Sequence, residues 1–193
     1  MQLRRLIMNP IHRIVYRAAY EPDFNIDSFI KGANQAILRS ASLIRERNFD
    51  EMQLYMINEA AENLRFSVSN IPNEIVDDVL EFSEDDMKKT FVHSSFFARD
   101  RQKERDPTNK MAYLASSFNF TFYSTFVAFI NKKKNESESS IAEMLKSPDP
   151  LLICNITIAR TLKPLGRWKI TRVNFFDKSY LEQNDMRFAR SFA

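Results

Sequence analysis

The sequence predicts an α+β domain, with N-terminal helices packed on one face of a curved antiparallel sheet of four strands. Three observations carry that prediction. Up to about residue 88 the apolar residues recur three and four apart, the spacing of a helix face; beyond it the period changes to two. The alternating segments come after the helices, an order that favours antiparallel pairing with helices segregated to one side. With 193 residues, one domain can bury enough of its surface to stand without a disulfide or metal staple.

The first element is set apart by charge. Residues 1–20 contain Arg4, Arg5, Arg13 and Arg17 and no Asp or Glu. The whole chain has 28 Lys plus Arg against 25 Asp plus Glu. Removing those four arginines leaves 24 against 25, so the remaining body is net −1. Asn9 before Pro10 reads as a helix start, because Asn can cap and Pro at the first position needs no N–H partner. Ile11, Ile14, Val15 and Ala18 then share one side of the helix, and Arg13, Arg17 and Tyr20 the other. Arg-rich, acid-free, amphipathic starts are typical of mitochondrial targeting segments and of helices lying in a membrane interface. The plain alternative is a surface helix with its arginines in water. Residues 1–20 are expected to be a targeting or membrane-binding helix, with Arg4, Arg5, Ile11, Arg13, Ile14, Val15 and Arg17 meeting an anionic lipid surface.

Two further helices show one entry device. Asn25 caps a helix that Phe24 and Phe29 staple, with Asp27 in its first turn. Phe29, Ala33, Ala36, Ile37, Ser40, Leu43 and Ile44 form its buried stripe. Gly32 inside it costs about 1 kcal/mol relative to Ala, which points to close approach of another backbone, the plain alternative being an ordinary partly exposed glycine. The second helix begins at Phe49-Asp50, where Asp50 and Gln53 have capping-box spacing and Phe49 can staple Leu54. Another follows Pro72 through Ile75, Val76, Val79 and Leu80. From Glu74 to Asp86 there are seven acids and no base, which reads as a solvated face before a docking patch.

Thr90 to Ala98 is the first strand, and Arg99 to Lys110 a charged loop. In the second, Phe118, Phe120, Phe122, Ser124, Phe126, Ala128 and Ile130 alternate with polar neighbours. That greasy face is expected against the helices, Phe120 and Phe122 with Ile156 and Ile158 lying under the helix that begins near Asn25. An RNA-stacking platform would interleave basic residues with those aromatics, and they are absent. Asn131 to Pro150 reads as an insertion with a short helix around Ile141 to Lys146 and the character of a flexible loop. Leu152, Cys154, Ile156, Ile158 and Leu162 make the third strand, interrupted by Arg160. Lys163-Pro164-Leu165-Gly166 is a tight turn into the fourth. The parity slip between Ile170 and Val173 predicts a bulge.

Composition excludes several activities. Two glycines rule out a Gly-rich phosphate cradle or dinucleotide fingerprint. Two histidines and one cysteine, Cys154, do not make a usual zinc site or an internal disulfide. No cofactor and no metal are expected, and no nucleophile–base–orienter set stands out.

Pro22-Asp23-Phe24-Asn25 followed by Phe29, Lys31-Gly32-Ala33 and Gln35-Ala36 resembles the opening of a domain shared by a mitochondrial family. The best-known member is the forty-four-kilodalton subunit of the inner-membrane translocase, which carries this domain at its C-terminus. Phe49-Asp50 is similar to the start of that domain's second helix, and Trp168-Lys169-Ile170 with Arg172-Val173 to its closing strand. The resemblance spans roughly Pro22 to Phe176. It implies a cone similar to nuclear transport factor 2, a helix pair on a curved antiparallel sheet, and a non-enzymatic role. The run from Asn9 to Tyr20 most resembles the branch that interacts with the matrix AAA protease.

The division expected is a helix over 1–20, an import-motor-anchor-like domain over 21–177 and a tail over 178–193 with room for a short helix. The resemblance implies a mitochondrial matrix protein peripheral to the inner membrane, an adaptor or chaperone-like factor. Its partners would be the matrix AAA protease and imported inner-membrane proteins, with no DNA. A mitoribosome-to-membrane receptor or an import-motor anchor of the same fold is the alternative, against which the net −1 body weighs. An enzyme using a pocket of the cone is third, with His93, Tyr113 and Tyr123 its candidates.

Overall fold

The computed structural model describes residues 2–99, 120–132, 140–147 and 150–178, with side chains from Met8 onward. Phe118, Tyr113, most of the charged loop and nearly all of the tail lie outside the described residues. The architecture is α+β, five helices followed by a four-stranded antiparallel sheet. The helices are α1 (Gln2–Ala19), α2 (Ile26–Arg45), α3 (Phe49–Tyr55), α4 (Asn58–Ser69) and α5 (Asn73–Leu80). The strands β1 (Met87–Arg99), β2 (Phe120–Ile130), β3 (Leu152–Thr161) and β4 (Lys169–Asp177) pair in sequence order, and α6 (Ile141–Lys146) lies between β2 and β3.

The seat of α2 follows the pattern of its sequence. Asn25 accepts from the N–H groups of Asp27 and Ser28, and the Phe24 and Phe29 rings meet edge-on at 5.0 Å. Its buried residues Ala33, Ile37, Ala41 and Ile44 join Phe126, Cys154, Ile156 and Ile158 of the sheet in the main core. The predicted bulge is Thr171, which has no partner on β3 between Ile170 opposite Ile158 and Arg172 opposite Thr157. That extra residue brings both Ile170 and Val173 onto the buried face.

Three expectations are corrected. Helix α1 does not start at Asn9; it runs unbroken through Pro10. The Asn9 amide turns instead to β1, donating to His93 O at 2.8 Å and accepting from Ser95 N at 3.1 Å. Helix α3 is capped by Asn48, whose side chain accepts from Glu51 N, and Leu54 is exposed, so no Phe49–Leu54 staple forms. Met56 goes extended to bridge Ile170, which ends α3 before α4 begins. Phe120 is 37 % exposed at the end of β2, and Phe122 is covered by Tyr16 of α1 and not by α2. Ile156 and Ile158 do lie in the core that α2 covers. The short helix expected around Ile141 to Lys146 forms as α6, opened by a reciprocal Ser140–Glu143 cap. Its Met144 packs on Val127, Phe129 and Ile153, the opposite face of the sheet.

One residue departs from ordinary backbone geometry. Arg47, just past α2, has φ 54°, a left-handed conformation that usually falls to Gly or Asn. Its guanidinium donates to Val68 O at 2.6 Å and Ile71 O at 2.7 Å, tying the end of α2 to the end of α4 and the turn after it, contacts a glycine there could not make.

Candidate functional site

Two surfaces stand out, the outer face of α1 and an open cavity beside α2. Helix α1 docks by its polar and aromatic side. Besides the Asn9 bridge, His12 Nδ1 lies 2.7 Å from Ser95 O, so the ring carries its proton there. These contacts occupy polar groups of the edge strand β1 that would otherwise invite pairing with another chain. Tyr16 is fully buried, stacked on Phe122 at 4.3 Å and edge-on to Phe24 at 5.1 Å.

A charged latch closes this dock. Tyr16 Oη donates to Glu21 Oε2 at 2.7 Å, and Arg160 Nη1 reaches the same carboxylate at 3.0 Å. Arg160 Nε also donates to Gly166 O at 2.6 Å, and the guanidinium stands 5.5 Å from the Trp168 ring centre. The arginine that interrupted the third strand thus occupies the core-facing parity to hold α1. Burial, and then the bond to Glu21, push the Tyr16 phenol well above its ordinary value, so it stays a donor.

With that side engaged, the apolar side of α1 faces outward: Ile11 is 42 %, Ile14 66 % and Val15 44 % exposed. Arg13 and Arg17 lie to another side of the same helix, Arg13 Nε donating to Asn9 O at 3.4 Å and Arg17 Nε to Pro22 O at 3.1 Å. Of the seven predicted lipid-facing residues, Ile11, Ile14, Val15 and Arg17 are exposed and Arg13 is half-buried. The side chains of Arg4 and Arg5 lie outside the described residues, although their backbone is helical.

The second surface is a cavity of about 590 Å³ between α2, the end of α3 and the start of β4. Phe29, Leu43, Met52, Met56, Ile158 and Trp168 make it mostly apolar; Glu21, Asp23, Arg39 and Lys169 bring its charges. Gly32 lies on its wall, and no atom lies within 4 Å of where its Cβ would be. Among the described residues no backbone makes the expected close approach, and Gly32 is exposed, as the plain alternative had it. Sequence reading missed this cavity.

Two of the three pocket-enzyme candidates, His93 and Tyr123, are among the described residues, and Tyr113 lies outside them. Neither His93 nor Tyr123 lines the cavity; Tyr123 stacks on Phe96 at 5.2 Å, paired across from it on the sheet. Cys154 is buried in the main core, where desolvation raises its thiol pKa and disfavours the thiolate. Among the described residues no group of three or more His, Cys, Asp or Glu is placed to hold a metal, and no helix is long and apolar enough to cross a membrane. No protein-family model, curated protein or solved structure matches this chain.

Proposed function

We propose that this protein is a non-enzymatic adaptor of the mitochondrial matrix, peripheral to the inner membrane, that works with the matrix AAA protease on imported membrane proteins. The observation that carries the membrane part is the outward strip Ile11, Ile14 and Val15, on a helix that also carries Arg13 and Arg17 and whose docking side is held by the domain. A held helix presents its apolar strip in one orientation and has little ordering entropy left to lose at the surface. Each arginine near an anionic surface adds about 1 kcal/mol. The partners and the compartment rest on the resemblance of Pro22 to Ala36 and Trp168 to Val173 to the import-motor-anchor family, including its cone-shaped domain.

Sedimentation with cardiolipin-rich vesicles tests the membrane role, and replacing Arg13 and Arg17 by Glu should abolish it while leaving thermal stability nearly unchanged. Affinity purification from mitochondria tests the partners. Recovery with the large mitoribosomal subunit and without the protease would favour the receptor reading, and a cytosolic location would remove the family inference.

A further inference from the structure

The cavity beside α2, at about 590 Å³, falls within the range of about 300–1,000 Å³ typical of small-molecule sites. Its apolar lining is rich in rings and thioethers, with Phe29, Met52, Met56 and Trp168 beside Leu43 and Ile158. The Phe29 and Trp168 rings meet at 4.8 Å. Methionines adapt to irregular apolar shapes, and rings offer large contact areas, so this lining suits an apolar body.

The charges around the cavity are already engaged. Glu21 accepts from Tyr16 and Arg160, and Arg39 pairs with Glu51. Lys169 Nζ donates to Leu54 O at 2.8 Å and Gln53 O at 3.4 Å, carbonyls in the last turn of α3, where the helix dipole favours a cation. Asp23 is exposed to water. A charged ligand would give up hydration against the apolar lining and meet no uncommitted opposite charge inside it. The groups left over are neutral. Ser28, Gln35 and Tyr55 line the same cavity, are exposed, and their side chains make no hydrogen bond among the described residues. We propose that the cavity binds an uncharged amphiphile, a small molecule with an apolar body and a hydroxyl or carbonyl head. The body lies against Phe29, Met56 and Trp168, and the head stays among the neutral polar groups of the rim. The site is separate from the outer face of α1 and does not rest on the adaptor reading.

Trp168 is the one tryptophan of the chain and lines the cavity, so its emission reports occupancy. The full chain is titrated at neutral pH with 1-decanol, decanoate and decylamine, one alkyl chain carrying a neutral, an anionic and a cationic head. Saturation at one 1-decanol per chain is expected, with decanoate and decylamine each weaker by about tenfold or more. The alcohol is also the most hydrophobic of the three, so the position of binding is tested separately. Ala36→Leu enlarges a lining side chain of α2 and should weaken 1-decanol about tenfold, while the melting temperature of the ligand-free protein stays level. The head-group series uses the unaltered protein, so it decides the matter even where that variant does not fold. No response, unsaturable uptake, or undiminished affinity in folded Ala36→Leu would overturn the proposal. So would decanoate binding as tightly as the alcohol, which would make this an anion site at Lys169, or decylamine doing so, which would make it a cation site at Asp23.

Discussion

Helices α1 and α2 are both amphipathic, and the domain uses them in opposite senses. Helix α2 turns its aliphatic stripe inward, with Ala33, Ile37 and Ile44 buried and Lys31 and Gln35 in water. Helix α1 turns Ile11, Ile14 and Val15 outward and docks by Asn9, His12 and Tyr16. The difference lies in the surface each meets. Under α2 the sheet offers Phe126, Ile156 and Ile158, an apolar partner for an apolar stripe. Beside α1 it offers the backbone groups of an edge strand and the guanidinium of Arg160, which hydrogen-bonding residues satisfy and aliphatic ones cannot. Amphipathic periodicity establishes that a helix has two faces; the partner surface selects the one that docks.

The sharpest break of this contrast is in the core under α2. Phe126→Ala should cost about 3–5 kcal/mol, much of the stability of a typical domain. Urea denaturation should show one cooperative transition moved to lower denaturant. Tyr16→Ala deletes a comparable ring, but the loss should be local. Hydrogen exchange should quicken in α1 and at Ser95 N while the amides of α2 stay protected; equal quickening in both would mean the two helices form one unit.

Next in size is the latch. Glu21→Gln removes the partner of a charge on the mostly buried Arg160 and should cost about 1–3 kcal/mol, read as a lower melting temperature. The Tyr16 phenol supplies a pH signature. Its pKa is raised in the folded state, so its stabilisation is fully present below the ordinary tyrosine value of 10.0 and is lost as pH rises through the higher folded one. Undocking of α1 should therefore begin near pH 10.0, and Tyr16→Phe should lack that alkaline component.

Smaller and opposite in sign is Gly32→Ala, which meets open space and should stabilise α2 by about 1 kcal/mol in thermal or chemical unfolding. The smallest stability effect belongs to the outer face of α1. Ile14→Asp should change stability by no more than about 0.5 kcal/mol yet abolish vesicle sedimentation. A large destabilisation would show that this face is packed against the domain.

Local sequence carried much of this molecule. The Asn25 cap with its Phe24–Phe29 staple, the helical seat of α2, the four strands and the bulge before Val173 were all legible, because capping, periodicity and parity depend on neighbours in the chain. The strip Ile11, Ile14 and Val15 was legible as an apolar side free to meet another surface, though the docking of the opposite side through Asn9, His12 and Tyr16 was not. What tertiary structure alone decided depends on residues far apart in sequence. Arg160 reaches back to Glu21 and Tyr16 across the turn of the whole chain, Met56 leaves the helix to bridge Ile170, and α6 closes the second sheet face. The same holds for the cavity beside α2, which only the placement of Met52, Met56 and Trp168 opposite that helix creates. Burial and hydrogen-bond satisfaction are properties of surfaces brought together by the fold, and a periodic pattern specifies only one surface of each pair.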